Sequence, residues 1–422
     1  MVQRSSTRRA AVAAGIGALA LALSACSQGS ATDSSDSNSA DGTTTVRYMN
    51  FSANDGHEAD LDRIVEAFEA ANEDVQVEVE TVPFADYFTS LQTAVAGGTV
   101  ADTFELNYEN FVTYAENGSL APLDEIDTGA YRESLLEAFN RDGTQYGVPT
   151  SFSNVVLFYN KTLFEQAGVE PPTNDWTWAD EQAAAKALTD KDAGVWGDYQ
   201  PISFNEFYKA LAQAGGEFMN DDASRATFNS PEGVEAANWL VQKSGTTMPT
   251  KADGAGTPDF DSNLFAEGNL AMWHTGIWMF GAMADVPFEW DIVVEPGRAT
   301  DASAMFANGA VVSASSEHPD AAQRWVDFLA ASDTTTDIRL ETSWELPPVA
   351  DESKLAEYTE ATPPANRQAV LDSLDAVALP PVIERQQEMQ DVVTEELGNA
   401  AAGRKSVEDA LADAEQAVNE LL

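Results

Sequence analysis

Three short segments near the start of the chain set its architecture: TVRYMNF at residues 45–51, VQVEVE at 75–80 and DTFEL at 102–106. Their β-branched and aromatic residues, with polar residues alternating between them, predict strands. Between the strands, apolar residues recur at helical spacing, first over residues 58–72 and then through Tyr87 to Val95, before the helix-ending pair Gly97-Gly98. Strands that alternate with helices predict an α/β fold with a mostly parallel sheet covered on both faces.

The rest of the chain continues this alternation. The same patterns predict strands at 154–160, 270–274 and 309–313, and helices at 178–188, 204–214, 231–243, 261–267 and 318–331. Thr177 is a plausible N-cap for the first of these helices, and residues 382–422 are predicted to be helical except near Gly403. A chain of 422 residues with 44% hydrophobic composition exceeds one ordinary core and predicts two domains.

The first 25 residues have the composition of an export signal. Three arginines precede a charge-free run at 10–23, which is too short and too rich in Ala for a membrane-spanning helix, since that needs roughly 20 strongly apolar residues. Leu23-Ser24-Ala25-Cys26 resembles a bacterial lipobox, which implies cleavage before Cys26 and its acylation. Residues 26–44 are mostly Ser, Asp, Gly, Asn and Thr and predict a disordered tether. We expect a lipid anchor on the extracytoplasmic face of a bacterial cell membrane; the alternative is a stray Cys after an ordinary secretory signal.

Charge and cysteine usage exclude several functions. Removal of residues 1–25 takes away three Arg and no acid, so the net charge falls from −48 to −51, which disfavours nucleic-acid binding and electrostatic adsorption to anionic lipid. Cys26 is the only cysteine, which excludes an intramolecular disulfide, a CxxC metal site and cysteine catalysis. The chain has no HExxH, GxSxG or GxxxxGK[ST] motif. We therefore predict no catalytic residue, no metal ligand and no cofactor.

Several phrases in order along the chain resemble the carbohydrate-binding proteins of bacterial ABC importers, the group that includes maltodextrin- and oligosaccharide-binding proteins. The most specific is Tyr146-Gly147-Val148-Pro149 with Phe158-Tyr159-Asn160-Lys161. The others lie at 64–77, 91–104, 114–123, 175–178, 265–272, 309–322 and 401–411. Each phrase alone is weak, but their order over nearly the whole mature chain is specific.

The resemblance implies an α/β, two-lobed periplasmic-binding-protein-like fold with discontinuous lobes joined by a hinge. It places lobe 1 at 45–152 plus 309–362 and lobe 2 at 153–308 plus 363–422. The ligand, a small carbohydrate of di- or oligosaccharide size, is expected in the cleft between the lobes, which close around it. The implied function is delivery of this ligand, by a monomer, to the transmembrane subunits of an ABC permease. No catalysis is implied.

A sugar pocket needs aromatic faces and polar hydrogen-bond partners, and the resemblance places them in loops that follow strands. After the first predicted strand come Ser52, Asn54 and Asp55, although Asp55 is equally suited to an Asx turn. After the third come Asn107 and Glu109, where Glu109 matches the family's sugar-binding carboxylate and could instead be a helix N-terminal charge. The remaining candidates are Ser153 and the pair Asn308-Gly309, all near the hinge.

Two tryptophans are candidate ligand contacts. Trp278 follows a predicted strand where maltodextrin-type proteins place a stacking Trp, and Trp344 lies in a loop that in this family approaches the cleft. The sequence departs from some maltodextrin-type members at Glu388-Met389-Gln390-Asp391, where they carry an aromatic residue. This departure counts against a maltodextrin-like array of stacking aromatic residues.

Two alternatives stay open. An exported glycoside hydrolase would need paired carboxylates on one cleft, which a chain with 70 acidic residues could supply. The same fold could also bind a polyamine, since carboxylates and aromatics suit an amine. A ferric ion and glycerol phosphate are further candidates, but a phosphate ester favours Lys or Arg, which the candidate loops lack.

Overall fold

The computed structural model describes residues 43–54, 56–257, 259–342 and 344–422. The predicted signal peptide and most of the predicted tether, including Cys26, lie outside these residues, as does the candidate Asp55. Strand β1 begins at Thr44, one residue inside the predicted tether. No helix within the described ranges combines the length and apolar character needed to cross a membrane.

The strands described are β1 (Thr44–Asn50), β2 (Val75–Thr81), β3 (Thr103–Asn107), β4 (Asn140–Arg141), β5 (Thr144–Gln145), β6 (Gly147–Asn160), β7 (Met272–Gly276), β8 (Trp290–Val293), β9 (Ser303–Val312) and β10 (Val377–Ala378). The predicted strands at 154–160 and 309–313 are the ends of the longer strands β6 and β9.

The helices described are α1 (Glu58–Ala71), α2 (Phe84–Gly97), α3 (Tyr108–Glu116), α4 (Glu133–Glu137), α5 (Lys161–Ala167), α6 (Trp178–Leu188), α7 (Phe204–Gln213), α8 (Pro231–Val241), α9 (Phe260–Ala266), α10 (Phe280–Met283), α11 (Pro319–Ala331), α12 (Asp333–Thr342), α13 (Ala356–Glu360), α14 (Gln368–Asp372), α15 (Gln386–Ala401) and α16 (Val407–Asn419). Local signals explain several boundaries. Gly98 ends α2 in the left-handed conformation, and Thr177 forms a capping box with Asp180 at the start of α6.

The strands form a sheet in the order β2-β1-β3-β9-β6-β7, to which β8 adds beside β6 and β10 beside β9. The prediction of a mostly parallel sheet is correct for β1 with β2 and β3, but wrong for the sheet as a whole. Strand β9 pairs antiparallel with β3 and β6, and β6 pairs antiparallel with β7 and β8. The alternation of strands and helices could not reveal this, because β9 returns from a distant part of the chain and inserts next to β3.

The two-lobed α/β fold predicted from the sequence is confirmed. In the first lobe, α1 and α11 pack on β1, where the rings of Tyr48 and Phe68 meet that of Trp325 edge to face. In the second lobe, α7, α8, α15 and α16 share one core, and Trp178 stacks on Trp239 at 4.7 Å between ring centroids. Strands β6 and β9 run through both lobes: the first half of β6 pairs with β9, and its second half lies between β7 and β8.

Candidate functional site

A cavity of about 380 Å³ lies beyond the carboxyl ends of β1 and β3, the edge of a parallel sheet at which open α/β folds bind ligands. Strands β1 and β3 are parallel neighbours, so the loops that follow them meet there. Four predicted residues line this cavity, namely Ser52, Asn107, Glu109 and Asn308. The structure thus brings together residues that lie up to 256 positions apart.

Hydrogen bonds orient two of these polar side chains, Asn107 and Asn308. Asn107 caps α3 through a bond from the Asn110 amide to its side-chain oxygen. Asn308 donates to the carboxylate of Glu345 at 3.2 Å, and Glu345 lines the same cavity. Burial raises the pKa of Glu109, because a low-dielectric site disfavours the charged form. The cavity therefore presents oriented carboxylate, amide and hydroxyl groups.

A second cavity, of about 690 Å³, lies on the side of the second lobe and contains the predicted residue Trp278. Its polar lining includes Asn205, Glu206, Asp259, Asp261, Asn263 and Thr275. Phe306 in β9 lines both cavities, so the two adjoin at this ring. Neither cavity has Lys or Arg among its described lining residues.

Exposed aromatic rings border both cavities. Phe84, the first residue of α2, is 58% exposed and lines the first cavity, while Trp278 is 55% exposed and lines the second. Behind each lies another ring: Phe51 meets Phe84 edge to face at 5.2 Å, and Phe306 meets Trp278 at 5.8 Å. Large apolar rings left open to water beside polar groups are typical of ligand sites.

Beneath the loop that follows β1 lies a buried carboxylate, Glu105. Its Oε2 atom accepts the backbone amides of Phe51 and Ser52 at 3.1 and 3.0 Å, and Oε1 has no partner among the described residues. Burial and the nearby charge of Glu345 together raise the pKa of Glu105 to about 7. Glu105 thus fixes the loop that supplies Ser52 to the first cavity.

The structure corrects the expectation for Trp344, which is only 3% exposed. The ring of His57 stacks on its ring at 5.2 Å, and the Arg339 guanidinium lies 4.3 Å from its centroid. At this exposure the ring has no open face for a ligand. Its Nε1 donates to the carbonyl oxygen of Ser52 at 3.0 Å, so Trp344 supports the lining loop instead of contacting a ligand.

Three other candidates lie apart from the lining residues. Gly309 is embedded in β9 between β3 and β6, and a Cβ at this position would come within 2.4 Å of the Phe139 ring. This glycine therefore serves close packing. Ser153 has a buried hydroxyl with no partner among the described residues. Asn54 is half-buried in the turn after β1, where its backbone N–H donates to the backbone carbonyl oxygen of Phe51.

Sequence reasoning missed several lining residues, notably Phe84, Phe306, Glu345 and Glu206. The sequence contains a local signal for the exposure of Phe84. This large apolar residue directly follows Pro83 and is the first residue of α2, so no preceding helical turn covers its ring. The others have no such signal. Their position at the cavities results from the pairing of β9 and the packing of α7, which are tertiary contacts.

The bacterial extracellular solute-binding protein family matches residues 54–336, and the chain belongs to this family. A binding protein of Brucella abortus is 24% identical over 366 residues, covering 84% of this chain and 87% of that protein. The family assignment fits the two-lobed fold, with its cavities at the strand ends.

Two solved structures extend the comparison. An ABC substrate-binding protein of Listeria monocytogenes in complex with cycloalternan is 44% identical, with a TM-score of 0.76, and the match covers 90% of this chain and 98% of that one. A cyclic α-maltosyl-1,6-maltose binding protein of Arthrobacter globiformis is 28% identical, with a TM-score of 0.77 over 90% and 99% of the two chains. The Listeria protein was thus solved with a bound saccharide, and the Arthrobacter protein is named for one.

Proposed function

We propose that this chain is the substrate-binding subunit of an ABC importer and that it captures a neutral oligosaccharide, cyclic and of few residues, between its lobes. The observation that carries the proposal is the placement of Phe84 and Trp278, two exposed rings at adjoining cavities lined by acceptors and amides. A pyranose ring offers apolar C–H faces to such rings and hydroxyls to such acceptors. The similarity to the Listeria and Arthrobacter proteins supports a cyclic ligand.

Capture is proposed to occur by closure of the lobes about β6 and β9, which run through both of them. The lobe boundaries at 45–152 plus 309–362 and 153–308 plus 363–422 are part of this proposal. Closure would bring the Phe84 wall toward the Trp278 wall and exclude water from the ligand, as in other hinge-closing binding proteins. The closed form would then dock, as a monomer, on the permease subunits, and the chain itself would catalyse nothing.

Binding is tested by isothermal titration and thermal shift with cycloalternan, cyclic α-maltosyl-1,6-maltose, maltotetraose and spermidine. A ligand that binds only the folded state raises its apparent stability. We expect a shift with a cyclic saccharide, and a weaker one with maltotetraose. A shift with spermidine and with no saccharide would contradict the proposal. It would favour a polyamine instead, for which the carboxylates Glu109, Glu345, Asp259 and Asp261 are the supporting observation.

The same samples test the hydrolase alternative. After prolonged incubation, chromatography of the saccharides is expected to recover each one intact. Appearance of shorter products in proportion to protein concentration would overturn the assignment as a binding protein.

The lipid anchor is a separate proposal that rests on Cys26 in its lipobox-like context. We infer that wild-type chain expressed in a bacterium is acylated at this residue and fractionates with membranes, on their extracytoplasmic side. Cys26→Ala is expected to abolish labelling with a fatty-acid analogue and to release the protein from the membrane fraction. Unchanged labelling in the variant would contradict the proposed anchor.

A further inference from the structure

Seven side chains in the second lobe form a closed ring of hydrogen bonds and ion pairs, which we call the ion ring. Its members, in the order of contact, are Glu206, Lys209, Glu295, His274, Glu181, Lys243 and Gln200. They come from α6, α7, β7 and the segments after α6, α8 and β8. Asp198 joins the ring through Lys243 at 2.6 Å.

The ion ring is buried and rich in charge. The side chains of Lys209 and Glu295 are fully inaccessible, and Lys243 and His274 are 3% exposed. Both ring nitrogens of His274 face carboxylates, Nδ1 at 2.7 Å from Glu295 and Nε2 at 3.0 Å from Glu181. Burial opposes the charge of this imidazole, but Glu181 and Glu295 outweigh it and raise its pKa to about 9. Buried charges of this kind persist only when each is paired.

His274 and its surrounding carboxylates have the donor types of a metal site. However, the carboxylates already bind the ring's own cations. Lys243 lies 2.5 Å from Glu181 and 2.6 Å from Asp198, and Lys209 lies 2.6 Å from Glu206 and 2.5 Å from Glu295. A divalent ion would have to displace these ammonium groups. The arrangement is therefore explained as a cluster of internal ion pairs.

Glu206 differs from the other carboxylates of the ion ring because it alone among them lines the second cavity, where Trp278 lies. Its two contacts within the ring, from Gln200 at 2.8 Å and Lys209 at 2.6 Å, both reach Oε2. Oε1 accepts no hydrogen bond from the described residues. It also keeps some accessible surface, since it is absent from the enclosed atoms without a partner. One oxygen of Glu206 is thus fixed by the protein, and the other is open to the cavity.

We propose that Glu206 is a specificity-determining ligand contact, whose free oxygen accepts a hydrogen bond from one hydroxyl of the saccharide that stacks on Trp278. The inference rests on the proposed function and adds a residue to it. Lys209 and Gln200 hold the carboxylate, so no rotamer freedom is lost when the ligand binds, and a preorganised charged acceptor favours affinity. Lys209 and Gln200 are therefore positioning residues for Glu206.

A matched pair of isosteric variants tests the proposal. Glu206→Gln and Glu295→Gln each remove one negative charge from the ion ring, but only Glu206 lines the cavity. In titrations with the cyclic saccharide, Glu206→Gln is expected to weaken binding roughly ten- to a hundredfold, as expected for loss of a hydrogen bond to a charged group. Glu295→Gln is expected to lower the melting temperature of the free protein and to leave Kd within about threefold of wild type.

A deoxygenated ligand series provides a second readout that a structural role would not change. Wild type should discriminate strongly against one monodeoxy saccharide, and Glu206→Gln should lose that discrimination while keeping the others. If Glu206→Gln folds poorly, Glu206→Asp keeps the charge of the ring, withdraws the free oxygen and should show the same loss. Equal affinity of wild type and Glu206→Gln overturns this inference alone. Failure of wild type to bind any saccharide overturns the proposed function, and this inference with it.

Discussion

A single methyl group at Gly276 should displace the Trp278 ring while leaving it in the protein. The ring lies directly against this glycine, so a Cβ there would be 1.8 Å from Cζ3 of Trp278. Ordinary contact begins at 3.4 Å, so the ring must retreat by about 1.6 Å. The backbone at Gly276, with φ −88° and ψ 162°, suits alanine without strain. Gly276→Ala therefore perturbs the ring and not the strand.

The expected loss follows from the area of the ring. Trp278 is 55% exposed, and one of its faces offers on the order of 80 Å² to a stacked sugar. At about 25 cal/mol per Å², loss of that contact costs about 2 kcal/mol, or roughly thirtyfold in Kd. Titration calorimetry with the cyclic saccharide measures this change directly. Trp278→Ala, measured in parallel, should lose at least as much.

Gly281→Ala is the matched control. It places the same methyl group three residues beyond Trp278, in α10, with no atom within 4 Å and no left-handed backbone. We expect wild-type affinity and unchanged or slightly higher stability. If Trp278→Ala weakens binding but Gly276→Ala does not, the reasoning from close approach is wrong. If neither weakens binding, Trp278 does not contact the ligand.

Three further predictions concern other groups. Phe84→Ala should weaken saccharide binding by several- to tenfold and lower the free energy of unfolding by only about 1 kcal/mol, since the ring is 58% exposed and meets Phe51 and Phe88 edge to face; equal affinity would remove Phe84 from the site. The pKa of Glu105 is about 7 in the folded state and 4.5 in the unfolded state. Between these two pH values the folded state therefore holds a proton that the unfolded state has lost, and the free energy of unfolding falls as pH rises through this range. In urea titrations, Glu105→Gln should therefore resemble wild type near pH 5 and exceed it by up to about 3 kcal/mol at pH 8; equal slopes would contradict this. The pKa of His274 is raised from 6.5 to about 9, so protonation of this side chain stabilises the folded state. This stabilisation is complete below pH 6.5 and is lost as pH rises through 9. Between pH 6.5 and 10, the free energy of unfolding of the wild type should therefore fall by up to about 3 kcal/mol more than that of His274→Gln.

The sequence was sufficient where structure depends on neighbouring residues. The strand-helix alternation from β1 to β3, the stop at Gly98 and the N-cap at Thr177 follow from local chemistry, and the sequence predicts each of them. The antiparallel insertion of β9 could not be predicted in this way, because paired residues such as Phe104 and Val311 lie about 200 residues apart in the sequence. Nothing in one segment encodes such a pairing.

The same distinction applies to the site. Ser52, Asn107 and Glu109 follow strands, so their place at a cavity could be anticipated from the resemblance and the end-of-strand rule. The place of Glu206 could not be anticipated, because Thr275 and Trp278, which line the same cavity, come next to α7 only through tertiary packing. Trp344 was misjudged because its stacking partner His57 and its cation Arg339 are brought to it by α1 and α12. Only packing determines whether an aromatic ring faces a ligand or another side chain.

The passage of β6 and β9 through both lobes also has a kinetic consequence. Neither lobe is a continuous stretch of chain, since β3 at 103–107 pairs with residues 308–312, and β9 in turn pairs with 377–378 near the end. Pairings of such long sequence separation make folding slow. When the chain is synthesised from its N-terminus, β3 cannot pair with β9 until some 200 further residues have been made. Completion of the sheet is therefore delayed until most of the polypeptide has been made.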